Sequence, residues 1–191
     1  MEFPNYQKSK EEINNWLFQD NGFLSLESMR KAHEPIIRAV LDLITKNESG
    51  NILDLGCGNG SLLKEVINQR KNLVPYGIEF DNKAFQNIKE LLSNFSENFI
   101  QGNYYDPMVL EKLNTKFTLT ILMPSRFLET NDFQGAKNLN NWLSQNSSKV
   151  LAYAYSDKLK KFKSFSDLLE KSGFEIESET EFDNVAIINP K

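Results

Sequence analysis

Asn51-Ile-Leu-Asp-Leu-Gly-Cys-Gly-Asn-Gly-Ser61 is the stretch that decides the fold. Ile52 to Leu55 reads as an apolar strand, Gly56, Gly58 and Gly60 alternate through a turn, and Leu62 to Gln69 carries helical spacing. Glycine admits backbone angles closed to other residues and lets a ligand approach the main chain with no side chain in the way. The helix start that follows brings amide donors without intrahelical partners to the same place. Strand, glycine turn and helix in this order form a ligand-binding unit.

Outward from the turn, Val74 to Phe80 reads as a second strand. It ends in Tyr76-Gly-Ile-Glu-Phe-Asp81, where Glu79 lies about 20 residues beyond the glycines. A carboxylate at that strand end can accept both hydroxyls of a ribose. The alternation continues with a helix over Asp81 to Phe95, strands over Phe99 to Gln101 and Phe117 to Met123, a helix over Lys137 to Gln145 and a strand over Val150 to Tyr155. A helix over Phe165 to Ser172 stops at Gly173, and strands over Phe174 to Thr180 and Val185 to Asn189 close the chain as a hairpin. The rhythm predicts an α/β fold: a Rossmann-like, seven-stranded, mostly parallel sheet with helices on both faces and an antiparallel C-terminal hairpin.

Upstream, Ile13, Trp16 and Leu17 make one helical stripe, and Ile36, Ile37, Val40, Leu41 and Ile44 make another, with Pro35 expected in the first turn of its helix. Two or three helices thus precede any strand. The chain divides into an N-terminal helical cap, 1–48, and a core, 49–191, within a single domain. Trp16 and Phe18 fit either a core or a lid.

The Asp-x-Gly-x-Gly-x-Gly turn resembles motif I of the class I, Rossmann-like, S-adenosylmethionine-dependent methyltransferases. The resemblance implies that Asp54 and the backbone of Gly56, Cys57, Gly58 and Gly60 hold the methionine part of S-adenosyl-L-methionine. It implies that Glu79 holds the ribose and that Phe80 covers one adenine face. Gln101-Gly-Asn-Tyr-Tyr-Asp106 resembles the family segment that meets the adenine amino group through an acid. Asn103 stands in the acid's place, and its carbonyl can still accept that bond. Tyr104 and Met123 join the expected cofactor contacts on the same resemblance.

Two other readings use similar sheets. A nicotinamide-dependent oxidoreductase needs a third fingerprint glycine where Ser61 stands. A non-catalytic partner subunit would lose the cofactor loop, whereas the three glycines and Glu79 are all present. After the fourth strand, Leu122-Met-Pro-Ser-Arg-Phe127 lacks the Asn-Pro-Pro-Tyr or Asp-Pro-Pro-Tyr of many enzymes that methylate the amino groups of nucleic acid bases. Methyl transfer to oxygen or nitrogen of a small molecule is therefore expected, with an RNA or protein acceptor as the alternative.

The formal net charge of -4 argues against a broadly basic, nucleic-acid-gripping surface. Lys158, Lys160, Lys161 and Lys163 form the one basic cluster, expected at a solvated helix start. DNA and membrane partners are not expected, and no apolar run approaches the roughly 20 residues that span a bilayer. One cysteine makes no internal disulfide, which fits a cytoplasmic setting. One histidine and one cysteine exclude a Cys/His zinc site, and no metal is expected.

Three residues are candidates for work on the acceptor. His33 is the sole imidazole and suits proton transfer near neutrality, although a structural histidine at a helix junction fits equally. Tyr104 and its neighbour Tyr105 could line the acceptor pocket or pack. Arg126 could clamp an anionic group or pair with Glu129 at the surface. Cys57 reads as filler within the turn.

Overall fold

A computed structural model describes residues 23–124, 133–155, 159–160 and 162–189. In chain order the elements are α1 (Leu26–Leu43), β1 (Gly50–Leu55), α2 (Ser61–Gln69), β2 (Leu73–Glu79), α3 (Asn82–Leu91), β3 (Phe99–Gln101) and α4 (Pro107–Leu110). There follow β4 (Leu119–Leu122), α5 (Phe133–Asn146), β5 (Val150–Tyr153), α6 (Phe165–Lys171), β6 (Glu175–Glu179) and β7 (Val185–Asn189). One seven-stranded sheet has the order β3-β2-β1-β4-β5-β7-β6. The first five strands pair in parallel, and β7 pairs antiparallel with both β5 and β6.

Because successive strand residues face opposite sides, the central strands are mostly apolar, with Asp54 and Thr120 as buried polar residues, and bury two cores. Leu53, Leu55, Leu122 and Ala152 face one core with residues of α4, α5 and α6, among them Leu110, Leu139 and Leu168. Ile52, Ile121, Leu151 and Tyr153 face the other with residues of α1, α2 and α3, among them Ile36, Val66 and Ile88.

α1 starts earlier than its apolar stripe suggests. Ser25 and Ser28 exchange side-chain to backbone bonds as a capping box, so Pro35 lies inside the helix and not in its first turn. Pro35 removes one backbone donor, and the burial of Met29, His33, Ile36, Ile37 and Val40 along one face holds the helix together across it. His33 consequently sits in the helix interior and not at a junction. Arg70 donates to the carbonyls of Leu41 and Ile44, and Lys149 to that of Leu43, which satisfies carbonyls at the end of α1 and fixes it to the core. At the other edge, Arg38 pairs with Glu181 and lies over the Phe182 ring.

Other boundaries shift for local reasons. The helix expected through Phe95 ends at Leu91, because Leu92 leaves helical angles and a 3₁₀ segment, Ser93–Asn98, carries a kink at Phe95. Phe117 makes only an isolated bridge to Ser147, so β4 begins at Leu119. α4 was not expected. Asp106 caps it through the Met108 amide and Pro107 takes the first turn, a start signal that a four-residue helix leaves without an apolar stripe.

Candidate cofactor and acceptor site

β1 ends at the carboxyl edge of the sheet, where the strand order reverses between β1 and β4 and ligands of open α/β sheets bind. The glycine turn folds back over β2, since the amides of Gly56 and Cys57 both donate to the Ile78 carbonyl, at 2.8 and 3.2 Å. Gly60 begins α2 in the left-handed region, φ 80°, and a β-carbon there would come within 3.1 Å of Leu92 Cδ1. Gly56 is also left-handed, φ 86°, with the Tyr104 ring 3.5 Å from where its β-carbon would stand. A side chain at either position would strain the backbone.

Glu79 fastens the turn to the end of β2. The Gly58 amide donates to Oε2 at 2.8 Å and the Asp81 amide to Oε1 at 2.7 Å, while the Glu79 carbonyl accepts from the Gly102 amide at 3.0 Å. The residue is 5% exposed. A carboxylate offers about four acceptor positions, so two backbone donors leave room for ribose hydroxyls.

Asp54 is 1% exposed, and its Oδ1 has no hydrogen-bond partner among the described residues. Burial, followed by the nearby Glu79 charge, pushes its pKa up to about 8. A buried acid of this kind is satisfied by a proton or by a cation brought to it. The orphaned oxygen, the left-handed glycines and Phe80, 65% exposed immediately after Glu79, fit a ligand with a cationic amino acid end, a ribose and a flat base.

The other expected positions divide. The Cys57 thiol packs over Gly77, where a β-carbon would lie 2.6 Å from Sγ and 2.8 Å from the Phe99 ring. Burial first, then the Asp54 and Glu79 charges, raise its pKa well above the ordinary thiol value, which makes the thiol inert. Asn103 is exposed, and its Oδ1 accepts from the Tyr105 amide at 3.1 Å. Tyr104 and Tyr105 are buried with their hydroxyls 3.1 Å apart, Tyr104 backing the turn at Gly56. Met123, half-buried, packs on the α1 side of the sheet. Arg126 lies outside the described residues, as do Trp16 and Phe18.

His33 is 3% exposed. Its ring meets Phe23 edge-on at 5.4 Å and stacks on Tyr155 at 6.4 Å, and burial pushes its pKa down to about 4. Sequence reasoning missed Tyr155 and Phe23 as neighbours of this imidazole, and Tyr153 as the neighbour of Tyr155. The period of two along β5 could have put both tyrosines on the Leu151 face. It missed Gly77, whose lack of a side chain admits the Cys57 thiol, and Met108, exposed on α4.

The strand order with its reversed β7, the glycine turn and the acid ending β2 define the class I S-adenosylmethionine-dependent methyltransferases, and the chain belongs to that fold class. Within it, residues 35–96 match the family profile described as methionine biosynthesis protein MetW. The chain is 26% identical over 132 residues, 59% of its length, to a probable cobalt-precorrin-6B C(15)-methyltransferase (decarboxylating) from Methanococcus vannielii, covering 73% of that protein. Among solved structures it resembles an O-methyltransferase family protein from Burkholderia thailandensis, with TM-score 0.59 and 12% identity over 86% of this chain. It also resembles TrmN from Thermus thermophilus, with TM-score 0.59 and 15% identity over 82% of this chain. The chain spans 57% and 48% of those two structures. Methyl transfer is the chemistry that the names of the Methanococcus vannielii and Burkholderia thailandensis proteins have in common. Among the described residues no helix is long and apolar enough to cross a membrane, and no group of three or more His, Cys, Asp or Glu side chains could hold a metal ion.

Proposed function

We propose that the chain binds S-adenosyl-L-methionine and transfers its methyl group to an oxygen or nitrogen of a small-molecule acceptor in the cytoplasm. The observation that carries this reading is the pair of buried carboxylates flanking the glycine turn, Asp54 with an unpartnered oxygen and Glu79 fixed by two backbone donors. Asp54 would face the amino acid end, Glu79 the ribose and Phe80 the base, with Asn103 at the rim.

When bound, the cofactor supplies an already electrophilic methyl group, so the protein's task is alignment. Holding reacting atoms about 3 to 3.5 Å apart in line can lower a barrier by roughly 7 to 11 kcal/mol without a dedicated acid or base. The fixed turn, the Glu79 clamp and the core-anchored α1 supply rigid positioning elements. The net charge of -4 supports a small acceptor over a nucleic acid.

A panel assay with tritiated cofactor tests the reading. Transfer to small metabolites is expected, and robust transfer to RNA or DNA with none to small molecules refutes the acceptor class.

A further inference from the structure

Among the described residues three buried side-chain atoms have no hydrogen-bond partner: Asp54 Oδ1, His33 Nδ1 and Asn140 Oδ1. The first two belong to the same side of the sheet. Asp54 follows Ile52 by two residues on β1, and its row continues through Ile121 of β4 to Leu151 of β5. Two residues further along β5 is Tyr153, which senses the Asp54 charge and hydrogen-bonds Tyr155. The Tyr153 and Tyr155 rings meet edge-on at 5.4 Å, and Tyr155 stacks on His33. From the helix side, Met29 lies one turn before His33 and accepts a 3.5 Å contact from the Ser61 hydroxyl, just past the glycine turn. His33 thus lies one helical turn from the Met29 contact to the start of α2, with its ring stacked on Tyr155.

The surroundings of His33 are aromatic. Phe23 meets His33 and Tyr155 edge-on, each at 5.4 Å, and among the described residues burial alone, with no neighbouring charge, shifts the imidazole. Phe23 and Tyr155 are each partly exposed, whereas His33 is 3% exposed. Phe23 precedes the Ser25 capping box and lies outside the helix, so its ring can turn without breaking a helical hydrogen bond. A buried imidazole nitrogen left unpaired is unfavourable, and a ligand donor that reaches it removes that penalty.

We propose that Phe23, His33 and Tyr155 form the seat of the methyl acceptor, and that this seat takes a planar, uncharged ring bearing a hydroxyl or N–H that donates to His33 Nδ1. The inference rests on the methyltransferase reading for the word acceptor. The aromatic walls favour a flat ring by offset and edge-on contacts. The imidazole is neutral near pH 7, so a phosphate or carboxylate gains no ion pair from it. His33 acts here as a positioning residue that orients the ring.

The chain has a single histidine, so its imidazole resonances need no assignment. The experiment titrates the full chain, with and without the demethylated cofactor product, with phenol, with toluene as a ring lacking a donor, and with phenyl phosphate as a charged ring. Phenol is expected to move the Nδ1 nitrogen resonance in the direction of hydrogen-bond acceptance while toluene leaves it in place. His33→Phe should weaken phenol binding by about tenfold in ligand-observed spectra and leave toluene unchanged. Where His33→Phe does not fold, Phe23→Ala, which widens the entrance, should still alter phenol affinity. Equal imidazole responses to phenol and toluene, tighter binding of phenyl phosphate than of phenol, or phenol binding indifferent to His33→Phe and Phe23→Ala each overturn the proposal. Cofactor affinity is measured separately by calorimetry. Its absence alongside an intact phenol response defeats the methyltransferase reading while leaving the ring seat standing.

Discussion

Replacing Glu79 with glutamine probes the one side chain that joins cofactor chemistry to the fold. In the parent, its two oxygens accept from Gly58 at 2.8 Å and from Asp81 at 2.7 Å. Glutamine keeps one acceptor oxygen and turns an NH₂ group toward the other backbone donor, so one of those two bonds is lost. A hydrogen bond to a charged group contributes about 1.5–3 kcal/mol. Removing the charge also relieves Asp54, whose raised pKa owes its second contribution to Glu79. The net loss is then about 2 kcal/mol, which in a chain of 191 residues lowers Tm by roughly 4–8 °C. Cofactor affinity should fall by a further tenfold or more, about 1.4 kcal/mol per factor of ten. Thermal melts followed by far-UV circular dichroism, paired with calorimetric titration of S-adenosyl-L-methionine, read the two effects. A variant that melts with the parent and binds cofactor equally well would refute both the clamp and the ribose role.

Gly77→Ala puts a methyl group against Cys57 Sγ and the Phe99 ring and should destabilise by about 1–3 kcal/mol in urea melts; adding Cys57→Ala should recover part of it, and strict additivity would contradict the packing account. With its pKa near 8, Asp54 must lose a proton to meet a cationic amino acid end, so cofactor binding at pH 7 should release protons and tighten toward pH 8 before levelling. Calorimetry in buffers of different ionisation enthalpy reads this directly; Asp54→Asn should abolish the release, and an absence of release in the parent would refute the role. His33 ionises at about 4 when folded and near 6.5 when unfolded. The folded state therefore loses up to about 3 kcal/mol relative to His33→Phe as pH falls from 6.5 to 4. Asp54 acts in the opposite sense, stability falling as pH rises from about 4 to 8, so only the difference between parent and variant isolates the histidine. A flat difference over that window would show His33 to be solvated.

How far the sequence carried the reading depends on range. The glycine turn and the Glu79 strand end were legible because local backbone demands fix residue types: left-handed angles at Gly56 and Gly60, and an acid two residues before Asp81. The sheet and its reversed hairpin were legible from apolar strands separated by helices. Pro35 misled the placement of α1 because its preference for a first turn is a local tendency, and the Ser25–Ser28 cap with one buried helix face overrode it. The second task of Glu79, holding Gly58, was not legible, since it requires knowing that β1 and β2 pair and bring the turn beside the acid. The His33 surroundings were hidden for the same reason: Tyr153 and Tyr155 are more than a hundred residues away in sequence. Tyr104, expected beside the ligand, is buried with its ring 3.5 Å from where a Gly56 β-carbon would stand, a packing role that its sequence position did not reveal.

The central claim is that the turn and its two acids hold S-adenosyl-L-methionine. Calorimetric titration of the purified chain with S-adenosyl-L-methionine, with its demethylated product and with a nicotinamide dinucleotide tests it most directly. The account predicts saturable one-to-one binding of the first two, weakened by Glu79→Gln, and no binding of the dinucleotide. Saturable binding of the dinucleotide with none of the sulfonium cofactor would contradict it.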